Sequence, residues 1–371
     1  MLQLPIYNER HVIKRLLKST ARIDYPRDKL HIQVLDDSTD ATVKLAQRLI
    51  GVLQKRGFRL EHLRRETREG FKAGALAYGL QYSTAPYIAI FDADFVIPPD
   101  FLKRTLPFLL QPDIGLVQTR WGHLNRNANL LTRLQAMIMD AHFRVEHFAR
   151  NRSDKFFIFN GTAGIWKRQA ILDAGGWQHD TLAEDTDISF RAQLRGWRFM
   201  YLHEVVAPAE LPEKMRAYKT QQHRWVKGTV QAAMKLTPIV WKSPLPFKKR
   251  LATILHLFSN LAFALMVIPA VLALPWVAKQ IYALHLPLEL ALAYFFIIAF
   301  AMSAVVAYYG VTLKASTGKL WPDILLAPFM AGLGIFLSFT HVRAALEALR
   351  GYQSEFVRTP KSRSQIQSME K

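Results

Sequence analysis

Two carboxylates two residues apart, Asp92 and Asp94, follow an apolar run at 87–90 and precede Val96-Ile97-Pro98-Pro99. The run predicts a short buried strand that ends in a turn. Strand ends of an open α/β sheet are where ligands bind. Like charges this close repel, so a cation stabilises the pair. Hard oxygen donors suit Mg²⁺ or Mn²⁺, and such ions are often completed by substrate phosphates. A D-x-D by itself is most often a solvated turn. Its reading as a metal site depends on what other chemistry shares the rim.

Three further groups carry such chemistry. Asp36 and Asp37 close a strand expected at 31–35, Glu184 and Asp185 open a helix expected at 188–194, and Gln221-x-x-Arg224-Trp225 lies in a basic helix. Each has a plain alternative: Asp36 and Asp185 suit helix caps, Trp225 suits a membrane-interface anchor, and Lys72 suits a solvated helix face. The elements that must position them alternate in type. Strands are expected at 2–6, 31–35, 60–63, 87–90 and 114–118, and helices at 10–21, 42–50, from 70 onward and at 130–150. That alternation predicts a mainly parallel sheet with helices on both faces. In the 130–150 helix His142 and His147 are five residues apart, the wrong spacing for one α-helical face, so no metal pair is expected there. Residues 156–159 lead into a small-residue turn, Asn160-Gly161-Thr162-Ala163-Gly164.

The chain has 371 residues, half of them hydrophobic, and a formal net charge of +20. The apolar excess collects after Leu251, which favours a membrane protein that binds anionic nucleotides or lipids over a nucleic-acid binder. The absence of cysteine excludes disulfides and thiolate zinc sites. No signal peptide is visible, and the start, close to a first strand, implies further sequence upstream. Residues 213–236 read as an amphipathic basic helix of the kind that lies on a bilayer surface. Segments 251–278 and 290–313 are long enough to cross a bilayer. A third, 324–340, is shorter and holds Pro328, Gly332 and Gly334, so it is expected to be re-entrant or interfacial. Lys and Arg flanking these segments put the C-terminal tail on the side of the N-terminal domain. The expected organisation is a catalytic domain over 1–212, interfacial helices over 213–250, a transmembrane region over 251–345 and a tail over 346–371.

The ordered set D, D-x-D, E-D, Q-x-x-R-W resembles that of the processive family-2 glycosyltransferases, the cellulose, hyaluronan and chitin synthases and their relatives. The runs Gln33 to Asp40, Lys72-Ala73-Gly74-Ala75-Leu76 and Phe159 to Gly164 look most like the cellulose-synthase-like mannan and glucan synthases. Phe356-Val357-Arg358-Thr359-Pro360-Lys361 is similar to the family's gating motif F-x-V-T-x-K, with Arg358 where the family has Val. The resemblance implies a GT-A, Rossmann-like domain facing the cytosol, an interface helix and a helical transmembrane region. It implies that Tyr7 stacks on the nucleotide base, that Asp36 or Asp37 holds base or ribose, and that Lys72 contacts the nucleotide. It likewise implies that Asp92 and Asp94 bind the diphosphate and its Mg²⁺ or Mn²⁺, Asp94 more directly. It implies further that Asp185 is the general base and that Glu184 shapes its surroundings. By the same resemblance Trp225 is expected beneath the acceptor sugar, Gln221 and Arg224 near the diphosphate, and Phe159, Asn160, Gly161 and Thr162 along the acceptor end. Phe356, Thr359 and Lys361 belong to the gate.

The chemistry is coherent with these roles. Charge builds on a departing nucleoside diphosphate, where a metal and Arg224 can stabilise it. The anomeric carbon becomes oxocarbenium-like. A sugar hydroxyl is a poor nucleophile and needs Asp185 to take its proton. One base and one displacement give inversion. The expected reading is an integral membrane β-glycosyltransferase using UDP-glucose or GDP-mannose, acting on a polysaccharide among membrane lipids, with no nucleic-acid partner; accessory subunits stay open. The alternatives are single transfer to a ceramide or diacylglycerol lipid, and a non-catalytic membrane scaffold or channel.

Overall fold

The computed structural model describes residues 1–261 and 288–352. Seven strands form one sheet in the order β3-β2-β1-β4-β6-β5-β7: β1 (Leu2–Ile6), β2 (His31–Asp36), β3 (Arg59–Leu63), β4 (Tyr87–Ile90), β5 (Ile114–His123), β6 (Gly164–Lys167) and β7 (Arg198–Ala209). All six residues of β2 are buried, as befits a parallel strand covered on both faces. Even its polar Gln33 is paired, accepting from Gln3 Nε2 of β1 at 3.1 Å.

Helices α1 (Ile13–Thr20), α2 (Thr42–Lys55) and α4 (Phe101–Leu109) cover one face through Leu16, Ile50 and Phe101. Helices α3 (Phe71–Gln81), α7 (Arg168–Asp173) and α8 (Glu184–Leu194) cover the other through Leu76, Ile171 and Ile188 around the fully buried Trp166.

The sheet is mixed. β1–β4 pair in parallel and so do β5 and β7, but β6 is antiparallel to both its neighbours β4 and β5. This reversal matters for chemistry. Ile90, the last residue of β4, pairs with Gly164, the first of β6. The segment after β4, with Asp92 and Asp94, therefore meets the segment before β6, with Asn160 to Ala163, at one rim.

Helix α5 (Leu130–Ala141) starts at Asn129, whose side chain accepts from the Thr132 N–H in a reciprocal capping box. It does not run on regularly to Arg150. Residues His142–His147 form a π-helical turn before α6 (Phe148–Arg152). The extra residue per turn puts His142 and His147 on the same face, ring centroids 4.3 Å apart, so the expectation that they point apart is corrected.

Helix α9 (Met215–Lys242) exceeds the expected 213–236 span and passes through Pro238. It carries α10 (Phe247–Leu257) on one side and α12 (Ala327–Leu349) on another, where Val226 and Val230 meet Ala344, Ala345 and Ala348. Helix α11 (Leu288–Thr317) and α12 also reach α5, through Leu134, Leu313 and Leu333. Pro328 sits in the first turn of α12, where proline is tolerated, so it does not interrupt that helix. Among the described residues one stretch, Asp323–Leu349, is long and apolar enough to cross a membrane by length and composition. Most of the expected 251–278 span, and the tail motif with Phe356, Thr359 and Lys361, lie outside the described residues.

Candidate active site

The rim where β1, β2, β4 and β5 end opens into a cavity of about 510 Å³. Its wall includes Tyr7, Asp37, Lys72, Asp92, Asp94, Glu184, Asp185, Gln221, Arg224 and Trp225, so most of the residues singled out from sequence converge there.

Lys72, in the first turn of α3, donates from Nζ to Asp92 Oδ1 at 2.6 Å and to the Gly161 carbonyl at 2.8 Å. One ammonium thus ties the D-x-D turn to the loop before β6. The Asp92 N–H adds a second tie, donating to Thr162 Oγ1 at 2.9 Å. Burial disfavours the charged form of Lys72, but Asp92, Glu184 and Asp185 outweigh it and raise its pKa. Gly161, at φ +80°, lies against the base candidate: a Cβ there would stand 2.9 Å from Asp185 Oδ2 and 3.3 Å from Lys72 Nζ. Only glycine combines that backbone conformation with that closeness.

Asp185 is in the first turn of α8. Desolvation and the adjacent Glu184 push its carboxyl up to about 7, against the pull of Lys72. Helix α9 is held next to α8 by Lys235, whose Nζ is 2.9 Å from the buried Asp187 Oδ1. Gly228 lets the two meet, since a Cβ there would come within 2.8 Å of the Leu182 backbone carbon. This contact brings Gln221, Arg224 and Trp225 to the cavity. Burial lowers the pKa of the Arg224 guanidinium, while Glu184, Asp92 and Asp185 act to raise it.

Other expected residues are placed differently. Asp36 is fully buried and does not line the cavity. It accepts from the Ser38 N–H at 2.8 Å and is 2.8 Å from His62 Nε2, a turn-forming role. Asp37 faces the cavity and is gripped by Arg65 through Nε at 3.0 Å and Nη2 at 2.5 Å. Of the loop expected to line the acceptor end, Asn160 and Gly161 do so. Phe159 is instead buried in the core against Trp166, and Thr162 is buried behind the D-x-D turn. The aromatic that opens this loop is packing here.

Sequence reasoning missed a polar cluster on the π turn. Glu146 lies 2.9 Å from His142 Nδ1, 3.2 Å from His256 Nδ1 and 3.3 Å from Arg150 Nε. Asn160 Nδ2 contacts His142 Nε2 at 3.0 Å, joining the cluster to the loop beside Asp185. Burial would raise the Glu146 pKa, but the two histidines outweigh that and hold the carboxyl well below the usual range. The signal, an i,i+4 His–Glu pair, was present in the sequence but hidden by the assumption of a regular helix.

The donor set suits a divalent cation that shares its ligands. Asp92, Asp94, Glu184 and Asp185 face Lys72 and Arg224, leaving excess negative charge in the cavity. Among the described residues no three His, Asp or Glu side chains form a set that could hold a metal alone. An ion on Asp92 and Asp94 would thus draw on phosphate oxygens and water, the usual habit of Mg²⁺.

A family model described as glycosyltransferase like family 2 matches residues 2–228. A probable glucomannan 4-beta-mannosyltransferase of Oryza sativa subsp. japonica is 40% identical over 290 residues, covering 74% of this chain and 55% of its own. Glucomannan 4-beta-mannosyltransferase 2 of Arabidopsis thaliana is 44% identical over 267 residues, covering 70% of this chain and 49% of its own. The chain thus spans about half the length of the curated relatives it matches. Among solved structures, the mannosyltransferase PcManGT of Pyrobaculum calidifontis, in complex with GDP-Man and Mn²⁺, aligns with a TM-score of 0.60 at 24% identity over 95% of this chain and 87% of that one. At that identity the likeness carries the fold, a GT-A type mixed α/β sheet. By the extent of the family match and the identity of its relatives, this chain belongs to the glycosyltransferase-like family 2.

Proposed function

We propose that the chain transfers a mannosyl group from GDP-mannose to the end of a β-linked polysaccharide, with inversion, using Asp185 as general base. The observation that carries this reading is the place of Asp185: its carboxyl lies against Gly161, beside the Lys72–Asp92 pair, in the cavity that also holds Asp94, Arg224 and Trp225. A pKa near 7 suits a base working at neutral pH. The choice of donor is supported by the relatives' names and by the GDP-Man and Mn²⁺ in PcManGT.

In this mechanism Tyr7 and Asp37 receive the nucleoside end, and Lys72 and Arg224 stabilise the charge growing on the diphosphate. A divalent cation, Mg²⁺ or Mn²⁺, held by Asp92 and Asp94, would neutralise the same leaving group. Trp225 presents an aromatic face to the acceptor sugar. The acceptor hydroxyl gives its proton to Asp185 as its oxygen bonds to the anomeric carbon. The bond from that carbon to the diphosphate oxygen breaks, and its electron pair leaves with GDP. Glu184 keeps the Asp185 proton affinity high.

Membrane embedding is part of the proposal. It is supported by the Asp323–Leu349 stretch and by exposed apolar side chains along α10 to α12, among them Leu255, Phe296, Phe300, Phe336 and Phe339. The catalytic domain would then face the cytosol. The test is a donor screen on the full-length membrane protein with mass analysis of the product. A mannose-containing polymer is expected. A single sugar on lipid would replace polymerisation by lipid glycosylation, and no nucleotide release with any donor would leave only a scaffold.

A further inference from the structure

We propose that Arg15, with Glu210 as its counter-charge, positions the D-x-D turn for the divalent cation; this rests on the reading above that Asp92 and Asp94 hold such an ion. Arg15 is carried by α1 and does not line the cavity. It reaches the turn from behind, donating from Nη2 to the Asp94 main-chain carbonyl at 3.1 Å. Its Nη1 forms an ion pair with Glu210 Oε1 at 2.6 Å, and the two side chains are 11% and 2% exposed. Glu210 follows β7 and does line the cavity. Its backbone is fixed on the inner side: the Pro208 carbonyl accepts from the Val96 N–H and the Ala209 carbonyl from the Leu124 N–H, both at 2.9 Å.

A buried arginine needs a buried anion, so the ion pair by itself is no more than a tie between α1 and the end of β7. The contact to Asp94 is what points to the cation site. Helix α1 covers one face of the sheet and α3 the other, so Arg15 holds Asp94 from the first face while Lys72 holds Asp92 from the second. Holding the Asp94 carbonyl fixes the peptide plane that follows it and leaves the side-chain torsions as the remaining freedom. Groups that orient a metal's ligands in this way set affinity as well as geometry. An arginine this close to a cation site also repels the ion, and Glu210 offsets that charge. Arg15 thus supplies position, and Glu210 keeps the site attractive to a cation.

The test is equilibrium binding of GDP and of UDP to the purified full-length protein, each with Mn²⁺ and in chelator, with melting curves to confirm that the variants fold. For the nucleotide that binds, the ratio of the two affinities measures what the cation contributes. Arg15→Met/Glu210→Gln removes both charges together, so a loss reports position. The Mn²⁺-dependent gain should shrink by about tenfold or more, with affinity in chelator unchanged. Glu210→Gln alone keeps the shape and an acceptor but leaves the arginine's charge in place, and should cut the gain by about tenfold. An undiminished gain in the folded double variant, or equal losses with Mn²⁺ and in chelator, would overturn the positioning role and leave a structural ion pair. If the double variant does not fold, Glu210→Gln decides in the same way. A wild type that gains nothing from Mn²⁺ with either nucleotide would overturn the cation reading of Asp92 and Asp94, and this inference with it.

Discussion

Lys72 Nζ lies 2.6 Å from Asp92 Oδ1, so in the free protein an ammonium occupies one carboxylate of the proposed cation pair. The same nitrogen holds the Gly161 carbonyl, which keeps the loop against Asp185 in place. Lys72→Met should therefore have two opposite effects. Mn²⁺ alone should bind more tightly, because Asp92 is released. Turnover should fall by about 10²–10³, because the donor phosphates lose a cation in the transition state. Titration of Mn²⁺ followed by steady-state rates separates the two, and a fall in both would point to a purely structural lysine.

Asp185 links activity and stability to pH in opposite senses. Its carboxyl is pushed up to about 7, so the active carboxylate fades as pH drops below neutrality. The rate constant kcat/KM should fall about tenfold for each pH unit below that point. Asp185→Asn should lose about 10²–10⁴ in kcat and lose this acid limb. The folded chain holds the proton more tightly than the unfolded chain, whose carboxyl keeps its ordinary value of 3.8, so above that value the group destabilises the fold, fully so beyond about 7. Asp185→Asn should thus melt higher than the wild type at about pH 8 and equally at about pH 3.5. A flat rate profile across neutrality would remove Asp185 as the base.

Asp94 tests the metal assignment. Asp94→Ala should abolish turnover that depends on added Mn²⁺ or Mg²⁺, and a chelator should silence the wild type. Full wild-type activity in chelator would end the divalent reading.

Trp225 should divide acceptor from donor. Trp225→Ala removes an aromatic face from the cavity wall while leaving Tyr7 and Lys72 in place. Donor affinity should stay within about threefold, and transfer to acceptor should drop by roughly tenfold or more, the scale of one lost sugar–aromatic contact. Equal losses in both would place Trp225 on the nucleotide.

Glu146 joins three elements through His142, Arg150 and His256. Glu146→Gln should cost about 1–3 kcal/mol of stability, because buried donors lose a charged acceptor. It should also lower kcat more than donor affinity, since His142 braces Asn160 next to the loop beside Asp185. Melting curves and donor binding measured together check this.

Much of the rim was legible because its signals are local. An apolar run closing on Asp92 and Asp94 marks a strand end whatever the fold, and Gly161 and Lys72 were noticed by their company. The reversal at β6 was not legible: its four residues offer too little alternation, and Gly164 reads as part of the preceding turn. Strand β7 pairs along β5 with two register shifts, and no single alternation spans its twelve residues. Helix α4 was not among the expected elements, and it carries Pro107 near its end. Asp36 and Asp37 are neighbours in sequence with opposite fates, one the last buried residue of β2 and one just beyond it facing the cavity. The π turn defeated any argument based on 3.6-residue spacing.

The far wall of the cavity comes from Tyr308 and Tyr309 of α11 and Leu333 and His341 of α12, beyond the stretch matched by the family model. An activated anomeric carbon is as open to water as to a sugar, and what shuts water out decides which one wins. On the proposed reaction, the seating of these C-terminal helices on α5 and α9 would set how much donor goes to transfer and how much is lost to hydrolysis.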